Sequence, residues 1–473
     1  MIFRSFDDAA SYIRDHGIVM VDLKFCDLWG RWHHVTLPAK RFTRGLLEKG
    51  VGFDGSSVGF KTVSAGDMVL QPDLEAAFPD PFHDVPTLSF ICRTLEADTR
   101  LPFPYDPRNI ARRAEAFLRE TGIGDRSVWG PEFEFYLFDG VSFENTLNTA
   151  SYRVESSEGE WHSRALGSGY TIPAHGGYHA IPPNDHLHNA RTQICLTLEE
   201  MGVEVKYHHH EVGGPGQCEI EIPLLPLAQA TDAILLVKYV VRMTAIQLGM
   251  TATFLPKPLH GEAGSGMHFH QCLWKGDTNL FHDALGYGAM SETGRQFIAG
   301  ILAHGGAVMA WTNASTNSYR RLVPGFEAPI SAIYSIGNRS AAIRIPKYAN
   351  RPESSRFEFR PPDATGNPYL MVAAQLMAGL DGIRKKMDPT VLGFGPVDED
   401  IFTWGAEQRA TIKALPTSLG QAVDALEADH AFLMAGDVFS GDIIHRWIAR
   451  KRAEERDVLN RPHPYEVELY YDL

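Results

Sequence analysis

The chain has 473 residues, 44% hydrophobic and 22% charged, with a formal net charge of -14. This length exceeds one compact core, so a small and a large domain are expected, and the acidic balance argues against nucleic-acid or anionic-membrane partners, which need basic surface. The five cysteines (Cys26, Cys92, Cys195, Cys218, Cys272) have no paired spacing and predict reduced thiols in a cytoplasmic protein.

The opening MIFRSF leads straight into a polar amphipathic segment, which predicts no signal peptide. Residues 5–17 read as a helix capped by Ser5 and closed by Gly17. In IVMVDLKF, Val19, Val21, Leu23 and Phe25 share one strand face; DLWGR makes a turn and WHHVTLP returns. A helical stretch, the Gly-rich GVGFDGSSVGF and the strand-like MVLQPD complete a small α+β unit of about a hundred residues. The proline-rich LPFPYDPRN marks a boundary, placing domains at 1–104 and 105–473. Asp106 caps the next helix, Pro107 takes its first position, and Ile110, Ala114, Phe117 and Leu118 form its apolar stripe. Beyond it come a strand in VWGPEFEFYLF, a helix over 228–249, strands in TATFLP and GMHFHQCLW, a helix over 293–311, a strand in RFEFR, a helix over 368–386 and two terminal helices. The apolar run from Ile234 to Val241 is interrupted by Lys238 and too short to span a bilayer.

Period-two spacing carries the chemistry. Glu132 and Glu134 project from one face of a strand while Phe133, Phe135 and Leu137 take the other. Adjacent carboxylates repel unless a cation sits between them or water solvates them, and both readings stay open for this strand alone. Arg356, Glu358 and Arg360 repeat the pattern opposite Phe357 and Phe359, as do His268 and His270 opposite Met267 and Phe269. Three such strands suggest one polar, walled cavity. In KYHHHEVGGPGQCE, glycines 213, 214 and 216 form a loop between Glu211 and Glu219. One cysteine cannot build a zinc finger, and the second histidine of a zinc-protease helix is missing, so a metal here would be magnesium or manganese on oxygen ligands; a polar loop with incidental histidines is the other reading. Glu327, set among Pro324, Gly325 and Pro329, reads as an acid on an ordered lid. Arg320, Arg321, Arg339 and Arg344 suggest an anion site or a set of surface ion pairs. Neither GxxxxGK(S/T) nor a strand-linked GxGxxG occurs, so nucleotide phosphates would fall to metals and arginines.

Taken together, GFDGSS, DMVLQPD, GPEFEFYLFD, GGYHAIPP, KYHHHEVGGPGQCEIE, GSGMHFH, NSYRRLVPGFEAP, NRSAAIRIP and RFEFRPPDATGNPYL resemble the bacterial type I glutamine synthetases, in the family's order over residues 53–370. The resemblance implies an α+β architecture: a small N-terminal β-grasp-like domain, then a large catalytic domain with a curved antiparallel sheet. It also implies a cytoplasmic dodecamer of two hexameric rings with active sites between subunits. It further implies two divalent metals (Mg2+ or Mn2+) per site, one on Glu134, Glu211 and Glu219, the other on Glu132, His268 and Glu358. The implied reaction joins ammonia to L-glutamate, with ATP phosphorylating the γ-carboxylate to make a leaving group. Arg339 and Arg344 would act on phosphates, Arg356 and His270 on nucleotide, and Gly264, Arg321 and Arg360 on glutamate. Asp54, Ser57, Tyr178, Glu211 and Glu327 match the ammonium pocket, with Asp54 the base, and Arg339 and Glu327 catalytic.

The sequence departs from the family at Ala263, where an asparagine usually contacts glutamate, and at Cys272, where a serine lies near nucleotide. EDIFTWG places Phe402 where some members carry an adenylylated tyrosine, so that switch is expected to be absent. Three alternatives follow. A γ-glutamyl ligase for another amine, such as a polyamine, would alter the ammonium pocket; a non-catalytic lens-type relative would lose metal ligands; a guanidino kinase would have no reason to carry an ammonium pocket. Retention of Asp54, Tyr178 and Glu327 favours ammonia, and retention of all six metal ligands argues against the non-catalytic relative.

Overall fold

The computed structural model describes residues 2–164, 169–323, 328–399 and 401–473. Its first unit contains α1 (Phe6–Asp15), β1 (Met20–Cys26), β2 (Trp32–Pro38), α2 (Arg44–Lys49), β3 (Val51–Asp54), β4 (Asp67–Asp80) and β5 (Thr87–Glu96). Ser5 Oγ accepts from Asp8 N–H at 3.2 Å and opens α1. The sheet order is β2-β1-β5-β4-β3, with β1 and β5 parallel at its centre. Val21, Leu23 and Phe25 enter the small core, as the alternation predicts, whereas Val19 precedes the strand and stays half exposed.

The opposite face of β1 is buried as well. Lys24 donates to Asp80 and Ser89 at 3.0 Å and also contacts Asp22. Tyr239 reaches Asp80 from the larger unit at 3.2 Å. Burying three partners around one ammonium avoids the cost of an unpaired internal charge. A second polar joint lies beside it. Arg108 donates to Asp73 of β4 at 2.8 Å and, through two nitrogens, to Asp232 at 2.9 and 2.7 Å.

The larger unit begins with α3 (Pro107–Glu120), capped by Asp106 as the sequence predicts, and β6 (Arg126–Phe138). A hairpin of β7 (Gly140–Asn145) and β8 (Ala150–Glu155) follows, then α4 (His188–Glu200), β9 (Tyr207–His210), β10 (Gln217–Glu221), β11 (Leu225–Pro226), α5 (Leu227–Gln247) and β12 (Thr251–Thr253). Next come β13 (Phe269–Lys275), β14 (Thr278–Asn279), α6 (Glu292–Ala303), α7 (Gly305–Thr312), α8 (Ser318–Arg321), β15 (Ser331–Ile336), β16 (Ala341–Ile345) and β17 (Phe357–Phe359). The chain ends with α9 (Pro368–Arg384), α10 (Ala406–Arg409), α11 (Leu419–Ala428), α12 (Ala431–Met434), α13 (Gly441–Leu459) and α14 (Pro464–Tyr470).

The main sheet runs β15-β16-β17-β13-β6-β10-β9. Phe133, Phe135 and Leu137 of β6 point into one large core shared with Ile234, Val237 and Val241 of α5. That leaves Glu132 and Glu134 on the other face.

Three expectations need correction. The sheet is mixed rather than antiparallel throughout: β15 and β16 pair in parallel, with an irregularity between Ser331 and Tyr334, and Gly337 at φ 74° takes part in the reversal joining them. The helix expected over 293–311 is two helices that break at His304, whose ring bridges Asp381 at 2.9 Å and Asp429 at 2.6 Å. The C-terminal region carries more than two helices, because Gly436 (φ 62°), the Ser440 cap and Pro464 divide it. Among the described residues, no helix is long and apolar enough to cross a membrane.

Candidate active site

Strand register assembles the site. Residues directly opposite on antiparallel strands present side chains to the same face. Across β9, β10 and β6, His209 faces Glu219, and Glu219 faces Glu134. Across β13, β17 and β16, His270 faces Glu358, and Glu358 faces Arg344. All members of the two rows except His270 border a cavity of about 360 Å³, also lined by Tyr178, Lys257, Ala263, Gly264, Arg321, Arg339 and Arg360.

The structure groups Glu132, His268 and Glu358 with donor atoms all within 4.8 Å of one another, and likewise His209, Glu211 and Glu219. His268 Nδ1 lies 3.1 Å from Glu132 and 3.4 Å from Glu358. His209 sits 3.5 Å from both Glu211 and Glu219. Glu134, expected alongside Glu211 and Glu219, instead accepts the Gly266 N–H at 2.8 Å and lies 3.6 Å from His268. A Cβ on Gly266 would fall 2.6 Å from the His268 ring, so only glycine lets the backbone approach that carboxylate.

Electrostatics separates the two groups. Burial pushes the Glu132 carboxyl upward, but the facing His270 and His268 outweigh it and hold it well below the usual range. For Glu358, burial and the charge of Glu132 are likewise overcome, by Arg360, His270 and His268. In the other group the counter-charge of His209 on Glu211 and of Arg339 on Glu219 is outweighed. Glu211 is raised to about 9 by burial and by the negative charges of Glu134 and Glu219. Glu219 is raised well above its ordinary value by burial, Glu132 and Glu134. Glu211 Oε2 is buried and has no hydrogen-bond partner among the described residues. Clustered carboxylates with an unsatisfied oxygen, a few imidazoles and no thiol fit hard divalent cations such as Mg2+ or Mn2+.

The arginines divide by depth. Arg344 donates to Glu358 at 2.6 Å, and Arg360 to the same carboxylate at 3.0 Å. Arg321 is buried, with donors on the Pro361 carbonyl at 2.8 Å and the Arg360 carbonyl at 3.1 Å, while Arg320 is exposed and outside the cavity. The expected four-arginine anion site therefore has three arginines at the cavity. His270 and Arg356 stand back from it: His270 supports Glu132 at 2.7 Å, and Arg356 lies over the Tyr348 ring. Tyr348 itself borders the cavity.

Asp54 and Ser57 pair with each other at 2.6 Å on the exposed edge of the small unit and do not line the cavity of their own chain. Glu327 falls outside the described residues; Ala328 and Pro329, just after it, do line the cavity. Cys272 is buried 3.9 Å from Asn279. Phe402 belongs to a short turn of helix at Ile401–Thr403.

Sequence reasoning missed His209, Gln217 and Lys257. For His209 the signal was present: in YHHH only Tyr207 and His209 share the parity that faces the cavity. His208 turns away to Arg191 and Thr192, and His210 to Glu158 at 3.0 Å. His210 also meets the Glu211 carbonyl at 2.7 Å, which anchors that carboxylate's backbone.

Both units resemble known proteins. Residues 17–97 match the glutamine synthetase β-grasp domain and residues 104–470 the glutamine synthetase catalytic domain. A glutamine synthetase of Streptomyces coelicolor is 46% identical over 476 residues, covering 100% of both chains. Among solved structures, the Plasmodium falciparum glutamine synthetase superposes with a TM-score of 0.89 at 27% identity, covering 100% of this chain and 99% of that one. A GmaS in complex with ADP superposes at 0.81 and 26% identity, covering 98% and 99%.

Proposed function

The chain belongs to the glutamine synthetase family, and from that premise we propose that it ligates ammonia to L-glutamate, forming L-glutamine, ADP and phosphate through a γ-glutamyl phosphate. It is a ligase of nitrogen assimilation. The observation that carries the reading is one cavity bordered by two cation-competent groups and by Arg339, Arg344 and Arg360. Phosphoryl transfer between two anions needs charge neutralisation, which such a site supplies.

Glu134, Glu211 and Glu219, with His209 beside them, would hold one Mg2+ or Mn2+, and Glu132, His268 and Glu358 the other. The metals, when bound, neutralise phosphate and carboxylate charge. Arg339 and Arg344 face the transferred phosphate, and Arg356 and His270 support the nucleotide side. Arg321, Arg360 and the Gly264 backbone orient glutamate. Tyr178 and Glu211 form the ammonium side together with Glu327, while Asp54 removes the proton before attack and Ser57 orients it. Because Asp54 and Ser57 lie away from their own cavity, the reading places them in a neighbouring subunit's site, within a cytoplasmic dodecamer of two hexameric rings. The division at residues 1–104 and 105–473, and the absence of adenylylation at Phe402, belong to the same proposal.

One observation supports a second reading, ligation of another amine: Ala263 departs from the asparagine usual in the family and offers no polar side chain beside Gly264. Phosphate release from ATP and glutamate, with ammonium, methylamine or putrescine as acceptor, tests both. The primary reading expects ammonium to give the highest kcat/KM; a preference for an organic amine would replace it.

A further inference from the structure

The geometry points to Gln217 as a positioning residue that fixes the Glu134 carboxylate and the Gly264 peptide at the glutamate end of the cavity, a role that rests on the ligase reading above. Gln217 opens β10, is fully buried, and lies opposite Tyr136 of β6. Its side chain joins two loops. Oε1 accepts the Gly213 N–H at 2.7 Å. Nε2 donates to the Gly264 carbonyl at 3.0 Å and to Ser265 Oγ at 3.3 Å, and stands 3.5 Å from Glu134 Oε2.

The Gly213 amide can only donate and the Gly264 carbonyl can only accept, so the network admits a single orientation of the Gln217 amide. An ionised carboxylate could not donate to Gly264, and a thioether could neither donate nor accept well. Gly213 is close-packed here, since a Cβ would fall 2.1 Å from Tyr136 Oη. That hydroxyl donates to the Ala263 carbonyl at 2.6 Å. The segment 263–266 is thus tied to the sheet at Ala263 by Tyr136, at Gly264 and Ser265 by Gln217, and at Gly266 by Glu134. Ala263 and Gly264 reach the cavity without a polar side chain, so what they offer a ligand is backbone, and Gln217 helps set where that backbone stands.

The test uses full-length Q217M and Q217E, assembled as the parent is. Steady-state titrations vary glutamate, ATP and Mg2+ separately, and Mn2+ affinity is measured directly without substrates. Loss of a partner that orients a ligand predicts a rise of about tenfold or more in glutamate KM and metal half-saturation, with ATP KM changed by less than about twofold. Glutamate KM and metal half-saturation at the parental values in both variants would overturn the role. So would a parallel rise in ATP KM, which marks general loosening. Should Q217M not fold, Q217E retains the shape and gives the same reading; failure of both to fold makes Gln217 a structural residue and also overturns it. If the parent chain forms no glutamine, the ligase reading fails by itself, and weakened Mn2+ binding in the variants still decides the Glu134 part.

Discussion

Metal binding beside Glu211 is expected to release a proton, and its affinity to climb with pH. Burial and the charges of Glu134 and Glu219 raise the Glu211 carboxyl to about 9, so the metal-free protein holds it neutral near pH 7.5. A divalent cation requires the carboxylate. The sign follows: at pH 7.5 the acid lies about 1.5 units below its midpoint, and deprotonation costs about 2 kcal/mol, or roughly 30-fold in affinity. Each proton displaced contributes about a tenfold gain in affinity per pH unit below that midpoint, and Glu219, also raised, can add to the count. The assay is calorimetric titration with Mg2+ between pH 6.5 and 8.5, repeated in buffers of different ionisation enthalpy. The expected result is release of about one proton per metal or more at pH 7.5. In Glu211→Gln the count should fall by about one while affinity drops about 10–100-fold. Affinity independent of pH, with heats that do not depend on the buffer, would refute the reasoning.

Asp54→Ala and Glu358→Ala chains should each be nearly inactive alone, yet recover about a quarter of parental sites when co-assembled in equal amounts, because a site shared between ring neighbours needs one intact part from each; co-assembled rings as dead as either parent would place Asp54 in its own chain's chemistry. Acid stability should depend on the joint between the two units. Burial alone would raise the Asp73 carboxyl, but Arg108, Arg112 and Arg93 outweigh it and hold it down to about 2. Its contribution is therefore complete above the unfolded value near 4 and is lost as pH falls toward about 2. Arg108→Met leaves Asp232 with Tyr369 and Asp73 with its remaining arginines; it should destabilise the chain by about 3–5 kcal/mol at neutral pH and flatten the loss between about pH 4 and 2, read from thermal melts.

Much of the site was legible because strands write their faces into the sequence at period two. Glu132 with Glu134, His268 with His270, and the Arg356–Glu358–Arg360 series each declared one polar face opposite buried aromatics, and the structure gathers members of all three around the cavity. Capping chemistry was equally readable at Ser5 and Asp106, since each signal is local. What the sequence could not supply was register between strands distant in the chain. The alignment of His209 with Glu219 and then Glu134 depends on how β9, β10 and β6 slide against each other, and no single segment carries that information. The same limit hid the parallel pairing of β15 with β16 and the separation of Arg320 from Arg321. His304 broke an otherwise helical pattern because Asp381 and Asp429, far along the chain, engage both sides of its ring.

ATP activates the γ-carboxylate of glutamate before an amine displaces phosphate in the proposed reaction. Glutamate labelled with 18O in both γ-carboxylate oxygens, turned over with unlabelled ATP and ammonium, tests it most directly. Attack of a carboxylate oxygen on the γ-phosphorus, followed by cleavage of the acyl carbon–oxygen bond, transfers one labelled oxygen to every phosphate released. The expected products are phosphate carrying a single 18O and glutamine retaining the other. Unlabelled phosphate formed in step with glutamine would contradict it.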